Sequence, residues 1–245
     1  MKGWILVQNT EKVDLSNVQM IAHRGVSGLE RENTNAAFVA AGNRSYYGIE
    51  TDVHRTKDGH YVIFHDDNML RLTGIDCNLE ECTLEELREI TLMDADGKNR
   101  SDLVIPTLEE YIRICKKYGK RSILELKNHF DDADIKKIIK LIKQEDWLEQ
   151  TVFISFVLEN LIAVRQILPK QKIQYLVGHI DAEVLHVLKK YALDADVHYE
   201  GLLPDAVRAV HEVGQQVNVW TVNQPKIATK MAAMGVDFIT TDILE

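Results

Sequence analysis

Short apolar runs alternate with amphipathic segments along most of this 245-residue chain. A strand buried in a parallel sheet is apolar almost throughout, whereas a surface helix repeats its apolar positions every three or four residues. These patterns predict strands at 19–23, 48–53, 121–126, 151–156, 172–177, 193–198, 216–222 and 236–240. Periodicity alone does not separate an open parallel sheet from a closed one. Eight strand–helix units in this length favour a (β/α)8 TIM barrel.

Several of the intervening helices have recognisable ends. The clearest covers 107–118, where Thr107 and Glu110 form a capping box and Gly119 follows the last turn. Further helices are predicted from Asp181 onward, from Pro204 to Gly214, from Asn223 to Gly235, and over 131–143 as a charged surface helix. Each of them lies between two predicted strands, as a barrel requires.

One stretch interrupts this alternation. The turn signal Lys-Asp-Gly at 57–59 follows the second strand, and the run YVIFH behind it predicts the return strand of a hairpin. Residues 66–106 are then mostly polar and contain one short helix, which begins at a second capping box of Thr83 and Glu86. We interpret 66–106 as an insertion within a single domain that spans 1–245.

Composition and charge narrow the class of protein. A hydrophobic fraction of 45% and a charged fraction of 27% are typical of a soluble globular protein. The net charge of −9 argues against a nucleic-acid binder but not against a small anionic substrate, since a bound cation can supply local positive charge. Cys77, Cys82 and Cys115 lack zinc-ligand spacing, which favours reduced thiols.

The start of the chain has one short apolar run, too short for a signal segment or a spanning helix. We therefore expect a cytoplasmic enzyme without stable membrane insertion. The sequence leaves the oligomeric state open, a homo-oligomer included.

Ionisable residues stand at the ends of several predicted strands, where a barrel has its active-site face. They form the groups His23-Arg24, Glu50-Thr51-Asp52, His65-Asp66 and Glu125-Leu126-Lys127. Residues two apart on a strand point to the same side, so Glu50 and Asp52 should converge with Glu125. Three such carboxylates suit a hard cation, Mg²⁺ or Ca²⁺. The alternative is a set of salt bridges to Arg24, Arg55 and Lys127.

The order of these motifs resembles the glycerophosphodiester phosphodiesterase family. The resemblance rests on IAHRG at 21–25, Glu32-Asn33-Thr34, GIETDV at 48–53, TKDG at 56–59, His65-Asp66, LELK at 124–127, VNVWTVN at 217–223 and Thr240-Thr241-Asp242. It implies a barrel of the phospholipase C-like phosphodiesterase type. Arg31 departs from the family, which usually has proline before Glu-Asn-Thr, and so does the lack of a proline after Thr-Asp. Neither departure touches a proposed catalytic group.

The resemblance also implies roles for particular residues. His23 and His65 would form the catalytic acid–base pair, and Glu50, Asp52 and Glu125 would bind the metal. The substrate phosphate would contact Arg24 and Lys127. Trp220 either forms a wall of the substrate pocket or packs in the core, and the same holds for Phe156.

Four other residues are interpreted differently. Glu32 and Asn33 are expected mainly to cap the first helix, and Asp242 to cap the barrel structurally. Asp66 is not expected to orient His65, because adjacent residues of a strand point to opposite faces.

The function implied is metal-dependent hydrolysis of glycerophosphodiesters to sn-glycerol 3-phosphate and an alcohol. The attacking oxygen would come from water or from the neighbouring glycerol hydroxyl. A lysophospholipase D-type enzyme acting on lysolipids is the alternative. A phosphatidylinositol-type phospholipase C or a sphingomyelinase D would share the barrel and the two histidines but fits the carboxylate set less well. A barrel that only binds a phosphorylated metabolite should have lost one of the histidines or carboxylates.

Overall fold

Eight parallel strands close into a barrel in the structure, a computed structural model that describes residues 9–15 and 17–245. The barrel strands are β1 Gln19–Ala22, β2 Gly48–Arg55, β6 Arg121–Leu126, β7 Thr151–Ser155, β8 Ile173–Val177, β9 Asp194–His198, β10 Val217–Trp220 and β11 Phe238–Thr241. They are hydrogen-bonded in the order β1-β11-β10-β9-β8-β7-β6-β2, and pairing of β1 with β2 closes the ring. The predicted fold class is confirmed, and each predicted strand overlaps an observed one.

Helices follow the barrel strands and cover their outer faces. They are α1 Asn35–Gly42, α4 Leu108–Tyr118, α5 Asp132–Gln144, α6 Leu158–Ile167, α7 Ala182–Tyr191, α8 Pro204–Glu212 and α9 Pro225–Met234. The capping box of Thr107 and Glu110 opens α4, and Gly119 ends it with a left-handed φ of 64°. Asp131 and Asp181 cap α5 and α7 with their side chains. The predicted helix ends therefore reflect real capping interactions.

The apolar core lies in two layers. The larger layer joins the helices to the outer face of the barrel and includes Phe38, Tyr111 and Phe153. A smaller cluster fills the barrel interior with Ile21, Ile123, Val152, Ile154, Leu176 and Phe238. Because the interior is packed, the polar groups at the carboxyl ends of the strands lie above a layer of apolar side chains.

The segment between β2 and α4 is richer than the sequence predicted. It contains β3 Tyr61–Ile63, α2 Leu70–Thr73, α3 Leu84–Arg88, β4 Thr91–Met93 and β5 Asn99–Val104. Strand β3 pairs antiparallel with β2, whereas β4 and β5 form a separate two-stranded sheet. An apolar cluster of its own holds the segment together, with Phe64, Leu87 and Leu92 among its members. One short helix was predicted here, whereas the structure has two helices and the sheet of β4 and β5. Strand β5 could not be predicted, because it is exposed and polar and has no apolar pattern.

Within the described residues, no helix is long and apolar enough to cross a membrane. The expectation about the apolar run at the start of the chain concerns residues 1–8, which lie outside the described residues.

Candidate active site

Three carboxylates converge at the carboxyl end of the barrel. Glu50 and Asp52 lie on β2, and Asp52 is paired in register with Glu125 of the neighbouring β6. All three residues are buried, and each offers an oxygen within 4.8 Å of the others. The strand alternation that predicted this convergence therefore holds.

Two cations accompany these carboxylates without balancing them. Arg24 Nε lies 3.6 Å from Asp52 Oδ2, and Lys127 Nζ lies 3.1 Å from Glu125 Oε1 and 3.6 Å from Asp52 Oδ1. The predicted salt-bridge alternative is thus partly present, although Arg55 turns away to Asp134. Three carboxylates against two cations leave room for a further positive charge.

The pKa shifts of Glu50 and Glu125 also indicate that positive charge is lacking in the cluster. Burial, together with Asp52 and Glu125, raises the pKa of Glu50 well above its usual value. Burial and Asp52 raise the pKa of Glu125 to about 8. Although burial opposes it, the positive charges of Arg24 and Lys127 hold the pKa of Asp52 well below its usual range. An oxygen-rich, under-compensated site of this kind fits a divalent cation.

His23, which directly follows β1, is held by an aspartate. Its Nδ1 lies 2.6 Å from Asp242 Oδ1, and Asp242 also accepts hydrogen bonds from Ser27 Oγ at 2.8 Å and Asn223 Nδ2 at 2.5 Å. The other ring nitrogen, Nε2, lies 4.0 Å from Glu50 Oε2. The expectation that Asp242 caps the barrel structurally was incomplete. His23 and Asp242 follow the neighbouring strands β1 and β11 but are 219 positions apart in the sequence, so no local pattern predicts their contact.

His65 is held in the same way by its own neighbour. Its Nδ1 lies 2.6 Å from Asp66 Oδ1, so the exclusion of Asp66 as an orienting residue was wrong. Strand β3 ends at Ile63, and beyond it the alternation of faces no longer applies. Burial lowers the pKa of His65, and Arg24 adds to this effect while Asp52 opposes it.

A chain of ion pairs links the two histidine loops. Arg71 donates from Nε to Asp66 Oδ2 at 2.6 Å and from both terminal nitrogens to Glu32 at 2.8 Å. Glu32 in turn accepts from Arg24 Nη1 at 2.8 Å. Arg71 was not among the predicted site residues, because it lies in a segment where no strand or helix pattern located its side chain.

The loop after His23 brings the backbone close to the carboxylates. Arg24 has a left-handed φ of 53°, and its amide donates to Glu50 Oε2 at 2.9 Å. Gly25 follows with a φ of 78°, and a Cβ there would lie 2.6 Å from Ala37 Cβ. Glycine is therefore required at this position by both conformation and space.

Asn33 supports the carboxylate cluster rather than the first helix. Its Nδ2 donates to Asp52 Oδ2 at 2.7 Å, and its Oδ1 accepts from Thr51 Oγ1 at 2.7 Å. The helix cap is the next residue, Thr34, whose side chain accepts from Ala37 N–H. Capping as the main role of Glu32 and Asn33 was therefore wrong.

These groups surround a pocket of about 400 Å³, part of it open to solvent. Its walls are formed by His23, Arg24, Glu50, His65, Glu125, Lys127, Ile154, Phe156, Leu176, Asp196, Trp220 and Thr240. Trp220 packs edge-on against Phe156, with ring centroids 5.6 Å apart, and Phe156 is 48% exposed at the mouth. Both aromatic residues thus border the pocket, and Asp52 lies beside it in the carboxylate cluster.

The chain is similar to known proteins over most of its length. The family model of the glycerophosphoryl diester phosphodiesterase family matches residues 23–245. A glycerophosphodiester phosphodiesterase of Caldanaerobacter subterraneus subsp. tengcongensis is 32% identical over 226 residues, covering 91% of this chain and 93% of the relative.

Two solved structures are also similar. A glycerophosphodiester phosphodiesterase from Parabacteroides distasonis superposes with a TM-score of 0.79 at 32% identity, over 92% of this chain and 93% of the other. An Oleispira antarctica phosphodiesterase, determined in complex with the product sn-glycerol-3-phosphate, has a TM-score of 0.83 at 28% identity and covers 95% and 96%. The chain therefore belongs to the glycerophosphoryl diester phosphodiesterase family, a family of phosphoric diester hydrolases.

Proposed function

We propose that this protein hydrolyses glycerophosphodiesters, such as glycerophosphocholine or glycerophosphoethanolamine, to sn-glycerol 3-phosphate and an alcohol. A divalent cation and the His23–His65 acid–base pair would carry the reaction. The observation that supports this most directly is the placement of two aspartate-held imidazoles beside one buried carboxylate cluster. The product bound in the Oleispira antarctica relative supports the same substrate class.

Glu50, Asp52 and Glu125 would hold the cation, Mg²⁺ or Ca²⁺, since all of their donor atoms are carboxylate oxygens. When bound, it would offset the charge of the phosphodiester and stabilise the charge that develops on the phosphoryl oxygens.

Arg24 and Lys127 would bind the phosphate from the protein side. Both side chains line the pocket and stay cationic. Burial opposes the charge on Lys127, but Asp52 and Glu125 raise its pKa above the usual value. Fixed positive charge in a partly buried pocket favours a doubly charged transition state more strongly than the same charge in water.

The two histidines would transfer protons. In each, an aspartate accepts from Nδ1–H and leaves Nε2 available for proton transfer. One Nε2 takes the proton of the attacking oxygen, which belongs to water or to the neighbouring glycerol hydroxyl. The other protonates the oxygen of the departing alcohol. A pair of imidazoles suits both tasks at neutral pH.

The test is a coupled assay for sn-glycerol 3-phosphate with the purified protein. Substrates are several glycerophosphodiesters and the corresponding lysolipids, each assayed after chelation by EDTA and after addition of Mg²⁺ or Ca²⁺. We expect turnover of the diesters, loss of activity on chelation and recovery with a divalent cation. Full activity after exhaustive chelation, or turnover of lysolipids alone, would contradict the proposal.

A further inference from the structure

The pocket has two unlike halves. Its charged half is formed by β1, β2 and β6 and contains His23, Glu50 and Lys127. The half across from it is formed by β7 to β10 and is mostly apolar, with Leu176 and Trp220 among its walls. Asp196 is the exception in this half, because it places a carboxyl group among these apolar residues. The proposed chemistry does not use it.

Asp196 is deeply buried and incompletely hydrogen-bonded. It lies on β9 between Leu176 of β8 and Asn218 of β10 in the strand register, one layer below His198 at the strand end. Its exposed fraction is 2%, and its Oδ1 has no hydrogen-bond partner among the described residues. Burial raises the pKa of Asp196 to about 7, and the neighbouring Asn218 opposes the rise.

A carboxyl group in this state is unfavourable for the free protein. Burying a polar group without a partner is destabilising, so a position of this kind is usually compensated by a ligand or explained by function. An apolar residue at position 196, like Leu176 on the neighbouring strand, would fill the same wall without leaving a polar atom unpaired. Its place in the pocket wall indicates that the missing partner comes from the substrate.

The chemistry of a glycerophosphodiester supplies such a partner. With the phosphate bound at the charged half, the glycerol group of the substrate would extend into the apolar half of the pocket. It carries hydroxyl donors for a carboxylate and C–H groups for contact with Leu176 and Trp220. An acyl chain on the terminal hydroxyl, as in a lysolipid, removes that donor and adds bulk.

We propose that Asp196 accepts a hydrogen bond from the terminal hydroxyl of the substrate's glycerol group and thereby selects free glycerol over acylated glycerol. This inference rests on the proposed function, because it assigns one end of the proposed substrate to one half of the pocket. It makes Asp196 a specificity-determining residue, separate from the acid–base pair.

The experiment removes the two hydrogen-bonding groups singly and together. Glycerophosphocholine and its analogue lacking the terminal hydroxyl are assayed with wild-type protein, Asp196→Ala and Asp196→Asn. For the wild type, loss of the hydroxyl should lower kcat/KM by about 10- to 100-fold. Asp196→Ala should lower kcat/KM for glycerophosphocholine by a similar factor and should treat the two substrates alike within about threefold.

Asp194→Asn is the matched control. Asp194 is a buried aspartate on the same strand but lies at the other end of the barrel, where it accepts from Gln216 N–H at 2.8 Å. This variant should keep the wild-type ratio between the two substrates. Thermal melting of all variants, with Asp196→Asn retaining the side-chain volume, separates lost recognition from lost folding.

Two outcomes would overturn the inference. Folded Asp196 variants that still reject the deoxy analogue as strongly as the wild type would show that another group binds the hydroxyl. A loss confined to substrates with a cationic leaving alcohol, and absent with a neutral one, would place Asp196 against the ammonium group instead.

Binding measurements keep this inference distinct from the proposed function. Titration calorimetry compares sn-glycerol 3-phosphate with propane-1,2-diol phosphate, which lacks the terminal hydroxyl, and needs no turnover. If the wild type cleaves no diester, the proposed function fails. A tenfold or greater preference for sn-glycerol 3-phosphate that Asp196→Asn abolishes would still support the hydroxyl site, whereas equal wild-type affinities would reject it.

Discussion

Asp242→Asn is the substitution that most sharply separates positioning from catalysis at His23. Asp242 receives donors only: His23 Nδ1 and Ser27 Oγ at Oδ1, and Asn223 Nδ2 at Oδ2. An asparagine amide nitrogen must therefore face one of these donors in either orientation. The substitution keeps the size of the side chain but removes its charge and at least one hydrogen bond.

The expected magnitude follows from this contact. A hydrogen bond to a charged group contributes about 1.5–3 kcal/mol, and about 1.4 kcal/mol corresponds to a tenfold change in rate. A fully buried aspartate behind a catalytic histidine can be worth about 10⁴-fold in kcat. The Asp242 side chain is 30% exposed, so solvent replaces part of its effect. We expect kcat to fall by about 30- to 100-fold.

The assay is steady-state release of sn-glycerol 3-phosphate, with kcat and KM determined separately. KM should change by less than about threefold, because Asp242 lies behind the imidazole and is not among the residues that line the pocket. Ser27→Ala is the control: it removes one donor to the same carboxylate but leaves the contact with His23, and should lower kcat by less than about threefold. A folded Asp242→Asn protein with wild-type kcat would refute the reasoning.

Three further predictions concern the ion pairs, the metal and pH. Arg71→Met should lower kcat about tenfold by freeing Asp66 while shifting the melting temperature little, since exposed ion pairs contribute little stability; an unchanged kcat would contradict the link. A divalent cation should raise the melting temperature of the wild type but not of Glu50→Gln, as checked by calorimetry with and without EDTA. Burial opposes the ionisation of Glu245, but hydrogen bonds, including those from Ser45, hold its pKa at about 2. The stabilising effect of the ionised Glu245 is therefore present above pH ~4.5 and is lost as the pH falls towards 2. Glu245→Gln should therefore reduce stability at pH 7 by at most about 3 kcal/mol in urea unfolding, with a smaller difference at pH 3.

The barrel was predictable because its signals are local. Most barrel strands are short apolar runs, and several helix ends carry their own capping residues, as at Thr107 and Gly119. The small sheet of β4 and β5 was not predictable in the same way. The exposed residues of Asn99–Val104 are mostly polar, and their pairing depends on contacts with the apolar cluster beneath them.

The site residues likewise differ in whether a local sequence pattern predicts their position. Convergence of Glu50, Asp52 and Glu125 follows from strand alternation and could be predicted from spacing. The partners of the two histidines could not. Asp66 lies past the end of β3, where alternation stops, and Asp242 reaches its histidine only because the barrel closes.

The central claim, that two histidines carry proton transfer at this site, is tested most directly by kcat for His23→Ala and His65→Ala in the coupled sn-glycerol 3-phosphate assay. With folding verified by thermal melting and the divalent cation present, each variant should lose at least about 100-fold in kcat. A folded variant that retains a rate near that of the wild type would contradict the role of that histidine and with it the acid–base pair.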